Sequence, residues 1–145
     1  MLDLCAAPGG KSTQIAGLLA GEGLLWSNEI VKSRAQALLS NVERLGVPNA
    51  VVSSCHPQRL CQSLQGFFDK VLVDAPCSGE GMFRRDPAAV AQWSPESPTA
   101  CAQRQRAILD SAALAVREGG VLVYSTCTFS REENEDNVRW FLSAH

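Results

Sequence analysis

Two apolar runs, Val71-Leu72-Val73 and Val121-Leu122-Val123-Tyr124, show no alternation of apolar and polar positions. A strand with one wet face alternates with period two, whereas an unbroken β-branched run reads as a strand buried on both faces. Burying both faces takes a layer of helices on each side, the architecture of parallel α/β domains. Both runs are therefore expected to be buried strands of one parallel sheet. Each also runs into a cysteine, through Asp74-Ala75-Pro76-Cys77 in one case and Ser125-Thr126-Cys127 in the other. Open α/β sheets bind ligands outside the carboxyl ends of their strands, so both thiols fall at that edge. Two thiols in one crevice point to covalent chemistry.

The rest of the chain alternates strand and helix patterns, with no repeat, low-complexity tract or dividing linker. Residues 2–4 form a strand stub and 11–19 a helix closed by Gly21 and Gly23. Residues 24–28 are a second strand. An amphipathic helix over 32–45 carries Ala35, Leu38, Leu39, Val42 and Leu45 on one face and stops at Gly46. Residues 49–53 and 68–74 are further strands, joined by a short helix around 57–65. Residues 75–98, rich in Pro, Gly and Ser, read as a long irregular loop facing substrate, with Met82, Phe83, Arg84, Arg85 and Trp93 on it. A helix over 101–117 is expected to stop at Gly119-Gly120, before the last strand. Ser130-Arg131-Glu132-Glu133 reads as a capping box that opens a final helix.

The 145 residues suit one domain, 1–145. Their net charge of −2 makes the chain by itself a poor electrostatic partner for nucleic acid. No apolar run is long enough for a membrane span, and no basic flank precedes an apolar stretch at the N-terminus, so a cytoplasmic location is expected. The six cysteines, at 5, 55, 61, 77, 101 and 127, include no C-x-x-C pair, and His56 and His145 are the sole imidazoles. That spacing predicts neither a metal site nor a disulfide framework. A free thiol is by default a small buried hydrophobe, and context overturns that default for Cys77 and Cys127 alone.

Asp3-Leu4-Cys5-Ala6-Ala7-Pro8-Gly9-Gly10-Lys11-Ser12 joins a strand, a glycine turn and a helix start, which lets backbone approach a ligand at a helix N-terminus. Three nucleotide-type ligands compete for it. Gly10-Lys11-Ser12 matches the end of a P-loop, with Asp74 as the metal-supporting acid of a nucleotide hydrolase. That pattern, however, asks for its first glycine where Cys5 stands. The dinucleotide fingerprint G-x-G-x-x-G is absent. Glu29 lies about twenty residues past the turn, at a strand end where a carboxylate accepts from both ribose hydroxyls. S-adenosyl-L-methionine is the third candidate.

Three segments in this order resemble one family. They are Asp3 to Lys11; Asp74-Ala75-Pro76-Cys77-Ser78-Gly79-Glu80-Gly81-Met82-Phe83-Arg84-Arg85-Asp86-Pro87; and Tyr124-Ser125-Thr126-Cys127-Thr128-Phe129 with Glu133-Asn134-Glu135. The family is the RNA (cytosine-C5) methyltransferases of the Sun, RsmB and RsmF type, and the Gly-Glu-Gly-Met-Phe-Arg stretch most resembles the RsmF-like bacterial rRNA enzymes. The resemblance runs from Leu2 to about Leu142. It implies a Rossmann-like S-adenosylmethionine-dependent methyltransferase fold with a parallel sheet ordered 3-2-1-4-5. It also implies S-adenosyl-L-methionine as cofactor and RNA (rRNA in particular) as partner.

The chemistry of that reaction explains the thiols. C5 of cytosine is a weak nucleophile until a thiolate adds at C6 and turns the C5–C6 bond into an enamine. Afterwards the thiol must be eliminated, and a second thiol nearby assists. Chemistry alone leaves open which cysteine attacks; the DNA cytosine-C5 enzymes use the one in Pro-Cys. The resemblance assigns Cys127 as nucleophile, Cys77 to release, Asp74 to the base edge and Lys11 to organising the site. It places the cofactor on Cys5, Ala6, Ala7, Pro8, Gly9, Gly10 and Lys11, with Glu29 and Asp74. Phe83, Arg84 and Arg85 are candidate RNA contacts.

Two departures stand out. Related enzymes carry an acid after the third strand, where it holds the adenine amino group. Here Val52-Ser53-Ser54-Cys55-His56-Pro57 has none, and backbone groups of the His56-Pro57 turn are expected to serve. The first strand is short and the chain closes one helix after the fifth, so the sequence reads as a fragment truncated at both ends, with flanking RNA-binding segments elsewhere. A degenerate domain that only binds RNA is the remaining alternative.

Overall fold

In the computed structural model, which describes residues 1–145, five strands form one parallel sheet. They are β1 (Leu2–Asp3), β2 (Leu25–Asn28), β3 (Ala50–Ser53), β4 (Phe68–Asp74) and β5 (Val116–Ser125), in the order β3-β2-β1-β4-β5. Six helices connect or follow them: α1 (Gly10–Leu19), α2 (Lys32–Arg44), α3 (Pro57–Ser63), α4 (Pro87–Gln92), α5 (Ser97–Ala115) and α6 (Glu135–Ala144). This is the expected order, and its reversal between β1 and β4 opens a crevice at their carboxyl ends. β1 pairs only Leu2 and Asp3 with each neighbour. The ladder continues through Leu4 N–H to Leu72 O at 2.9 Å and Ala6 N–H to Asn28 O at 2.8 Å.

Apolar side chains cover both sheet faces. On one, Leu2, Leu4, Val71 and Val73 pack with Leu60 of α3 and Ile108 and Ala112 of α5. On the other, Leu25 and Leu72 meet Ile15 and Ala16 of α1, and Leu38 and Val42 of α2 close over Ala6 and Ala7. Each fully buried side chain of this size contributes about 1.5–3 kcal/mol. No helix is long and apolar enough to cross a membrane.

Four expectations are corrected. The first concerns β5, which is not buried on both faces: Val121 and Val123 are 49% and 45% exposed, while Leu122 and Tyr124 pack on the core. β5 is the sheet edge, and α6 docks on α5 through Arg106 over the Trp140 ring rather than covering that face. Second, the helix expected over 101–117 runs from Ser97 to Ala115, and Val116 already belongs to β5. Gly119-Gly120 marks an irregularity in that strand, between the Phe68↔Val116 and Lys70↔Val121 pairs. A Cβ on Gly120 would lie 2.8 Å from Asp69 O, so the backbones approach too closely for any other residue.

Third, residues 75–98 are not wholly irregular. They contain a 3₁₀ turn, Glu80–Met82, and the short helix α4, whose N-cap Asp86 accepts from Ala88 N–H and whose first turn holds Pro87. Phe83 and Trp93 meet edge to face across this segment. Fourth, the final helix begins at Glu135, beyond the expected capping box. Ser130 Oγ does accept from Glu133 N–H at 3.3 Å, but Ser130 N–H goes to Thr128 Oγ1. The Glu133 carboxylate turns inward instead, onto Ser78 N–H and Gln105 Nε2.

Candidate active site

β4 and β5 run in parallel with Asp74 opposite Ser125, so the segments to Cys77 and Cys127 leave the sheet at one level. The two sulfurs lie 3.1 Å apart, and Cys127 N–H donates to Cys77 Sγ at 3.3 Å. Their surroundings differ. Cys127 is exposed and Cys77 half-buried. Burial first, and then the hydrogen bond to Cys127, pushes the Cys77 thiol up to about 12. Cys77 therefore keeps its proton at neutral pH and is placed to offer it to the neighbouring sulfur.

The loops carrying the thiols are tied together. Gly81 N–H donates to Cys127 O at 2.8 Å, and a Cβ on Gly81 would lie 2.6 Å from that oxygen. Ser78 Oγ and Thr128 Oγ1 are 2.9 Å apart, and Glu80 accepts from the Thr128 hydroxyl and from Phe129 N–H.

Asp74 stands beside the thiols at the end of β4. Its Oδ2 accepts from Lys11 Nζ at 2.6 Å and its Oδ1 from Ser125 Oγ at 2.7 Å. Lys11 belongs to the first turn of α1, behind the glycine turn. Gly9, at φ +112°, turns the chain with its Cα against Leu38, where a Cβ would sit 3.0 Å from Cδ1. Side chains of α2 hold the turn from outside: Arg34 donates to Ala7 O and Asn41 to Pro8 O, each at 2.8 Å. Ser12 is buried, with its hydroxyl 2.6 Å from Asp3 Oδ2 and 2.9 Å from Ser27 Oγ. The P-loop reading needs that hydroxyl free to face a metal and Lys11 free to face phosphate. Both are engaged, and that reading falls.

Glu29 is 3% exposed, just past β2. Val31 N–H donates to its Oε1 at 2.9 Å, and Arg34 pairs with Oε2 at 3.3 Å. It is a fixed acceptor, not a solvated acid. Nearby, Asn28 takes Cys55 N–H on its Oδ1 and donates to Cys55 O, which pins the turn before His56.

These groups share one open cavity of about 940 Å³, into which Cys5, Glu29, His56, Asp74, Cys77 and Cys127 face. A recess of about 220 Å³ adjoins it, between the glycine turn, Lys11 and Asp3. Asp3 Oδ1 is buried there without a hydrogen-bond partner, and burial raises the Asp3 carboxyl to about 6. Burial likewise pushes Cys5 up to about 12, so that thiol is inert.

Of the residues singled out from sequence, Lys11, Glu29, Asp74, Cys77 and Cys127 converge here, along with the turn from Cys5 to Gly10. Gly9 serves the packing of the turn rather than the cavity wall. Phe83, Arg84 and Arg85 lie outside the cavity, Phe83 against Trp93 and both arginines exposed without a carboxylate partner. Sequence reasoning missed Asp3, Ser78, Ser125 and Glu133 in these roles. Asp3, Ser78 and Ser125 lie inside the quoted motifs, so adjacency was the signal. Glu133 was misread as a capping residue.

A family model described as 16S rRNA methyltransferase RsmB/F matches residues 1–145. The Ribosomal RNA small subunit methyltransferase F of Cronobacter sakazakii is 45% identical over 145 residues, all of this chain and 30% of that protein. Its counterpart in Escherichia coli O157:H7 is 46% identical over 140 residues, 97% of this chain and 29% of that protein. The chain thus spans under a third of the length of these curated relatives. Among solved structures, NSun6 from Pyrococcus horikoshii with SFG superposes with a TM-score of 0.88 at 38% identity, covering 99% of this chain and 36% of that one. PH0851 gives a TM-score of 0.95 at 36% identity, covering 99% and 33%. The sheet order, the joined thiol loops and an end-to-end match to one family model agree, and the chain belongs to the RsmB/F family of 16S rRNA methyltransferases.

Proposed function

We propose that this chain is the catalytic part of an S-adenosyl-L-methionine-dependent methyltransferase that modifies C5 of a cytosine in small-subunit rRNA, in the cytoplasm. The observation that carries the reading is the thiol pair at 3.1 Å, lining with Asp74 a cavity with room for a nucleoside-type cofactor and a base together. The names of the relatives support the RNA.

The residues present fit the cofactor. Glu29 offers carboxylate oxygens to ribose hydroxyls, the His56 turn lines the far end of the cavity, and the orphaned Asp3 Oδ1 suits an α-ammonium group in the recess beside Lys11. When bound, S-adenosyl-L-methionine supplies an electrophilic methyl group on a sulfonium sulfur. Cys127 adds as thiolate to C6 of the flipped cytosine, and the displaced electron pair makes C5 nucleophilic. Asp74 accepts from the N4 amino group, held in place by Lys11 and Ser125. Once C5 carries its methyl group, its proton passes to water and the C–H electron pair re-forms the C5–C6 double bond. Cys127 then leaves as thiolate, and the protonated Cys77 thiol stabilises it by hydrogen bonding. Arg84 and Arg85 lie exposed on the loop above, available for phosphate.

The test uses the full-length protein, labelled S-adenosyl-L-methionine and unmodified small-subunit rRNA. Label is expected in 5-methylcytosine, and Cys77→Ala is expected to accumulate a covalent protein–RNA adduct on a denaturing gel. Cofactor binding without any methyl transfer would leave the RNA-binding domain as the better reading.

A further inference from the structure

Glu133 precedes α6, away from the cavity, and is 0% exposed, as are Gln105 of α5 and Asn137 of α6. Its Oε2 accepts from Ser78 N–H at 3.1 Å and from Gln105 Nε2 at 2.7 Å, and its Oε1 accepts the Ser78 hydroxyl. Gln105 Nε2 also donates to Pro76 O at 3.0 Å, while Asn137 Nδ2 holds Gln105 Oε1 at 2.9 Å. Pro76 and Ser78 are the neighbours of Cys77 on either side. The residues on either side of Cys77 are thus held by Glu133 and Gln105, neither of which lines the cavity.

The carboxylate acts on one side. The loop of Cys127 is tied to that of Cys77 by other groups, through Gly81 N–H to Cys127 O, Thr128 and Phe129 to Glu80, and the Ser78–Thr128 hydroxyl contact. Glu133 makes no side-chain bond to that loop and forms no ion pair. A buried carboxylate without a cation is an expensive way to fill space, since an apolar side chain there would avoid the desolvation. Its three donors, two of them on Ser78, give it a local task.

We propose that Glu133 is a positioning residue for Cys77, acting through Ser78 and Gln105, so that release of the adduct depends on it while attack by Cys127 does not. The inference rests on the two-thiol reading above. With that hold loosened, Cys127 still adds to C6, but the Cys77 thiol no longer stands beside the leaving sulfur.

The experiment compares Glu133→Ala, Glu133→Gln, Ser78→Ala and Cys77→Ala in the full-length protein, with unmodified small-subunit rRNA and S-adenosyl-L-methionine. Turnover and the adduct fraction are both measured. Glu133→Ala is expected to slow turnover by about tenfold or more, because three buried donors lose their acceptor, and to accumulate the Cys127-linked adduct seen with Cys77→Ala. Glu133→Gln keeps the volume and one accepting oxygen for Ser78 N–H and Gln105, and restores most of the turnover. Should Glu133→Ala not fold, Ser78→Ala carries the same test, with a smaller build-up of adduct. Wild-type turnover without adduct in Glu133→Ala overturns the inference, as does loss of adduct formation in Glu133→Ala and Glu133→Gln alike. If Cys77→Ala accumulates no adduct, the two-thiol reading itself fails and takes the inference with it. Adduct with Cys77→Ala but not with the folded Glu133 and Ser78 variants sinks the inference alone.

Discussion

Val71 and Val73 of β4 are both 0% exposed, whereas Val121 and Val123 of β5 are 49% and 45% exposed. The two strands carry similar apolar runs into a cysteine, yet β4 lies inside the sheet and β5 at its edge. The same contrast reaches the thiols. Cys77, after the inner strand, is half-buried, has both neighbouring residues held and keeps its proton, while Cys127, after the edge strand, is exposed. Place in the strand order, rather than local sequence, gives the two thiols their different burial.

The largest expected effect comes from exchanging the thiols' roles. Cys127→Ala should abolish both methyl transfer and the covalent adduct, whereas Cys77→Ala should stop turnover with the adduct in place. A denaturing gel that shows adduct with Cys127→Ala and none with Cys77→Ala would reverse the comparison. Gly81→Ala comes next. Its Cβ would lie 2.6 Å from Cys127 O, so the two loops must separate, at about 1–3 kcal/mol and with a fall in turnover. Unchanged melting temperature and turnover would show that the loops yield freely.

Packing gives a third way to sharpen the contrast. Val71→Ala should cost about 2 kcal/mol in urea unfolding, and Val121→Ala no more than about 0.5 kcal/mol. Equal costs would mean that β5 is covered in the full-length protein. The smallest effect expected is that of Asp3, a carboxyl raised from 3.8 to about 6 by burial. A raised folded-state value means that protonated Asp3 favours the fold: this contribution is fully present below about 3.8 and lost as pH rises through about 6. Asp3→Asn should therefore flatten the stability profile between those values, and a parallel profile for the wild type and the variant would refute it.

Much of this was legible in the chain. The glycine turn, Glu29, Asp74 and the two cysteines stand at ends of strands whose patterns are clear, and short-range geometry at those ends is set by parallel pairing. The boundary of α5 and β5 was misplaced because Gly119-Gly120 signals equally a helix stop and a close approach of two backbones. α4 was passed over although Asp86-Pro87 is a helix start, since the surrounding Pro, Gly and Ser read as loop. Glu133 was invisible as a clamp because its partners, Ser78 and Gln105, lie 55 and 28 residues away.

By itself the sequence determined the alternation of strands and helices, the edge of the sheet where ligands bind, and the motifs that carry the candidate reacting groups, because periodicity and motif are properties of neighbours along the chain. Only the tertiary structure decided that β5 has one face open, that Asp3 holds an unpartnered oxygen beside the glycine turn, and that Glu133 and Gln105 bond Ser78 and Pro76 on either side of Cys77. Burial and hydrogen-bond partnership depend on what other elements bring within a few ångströms, and no local pattern encodes that.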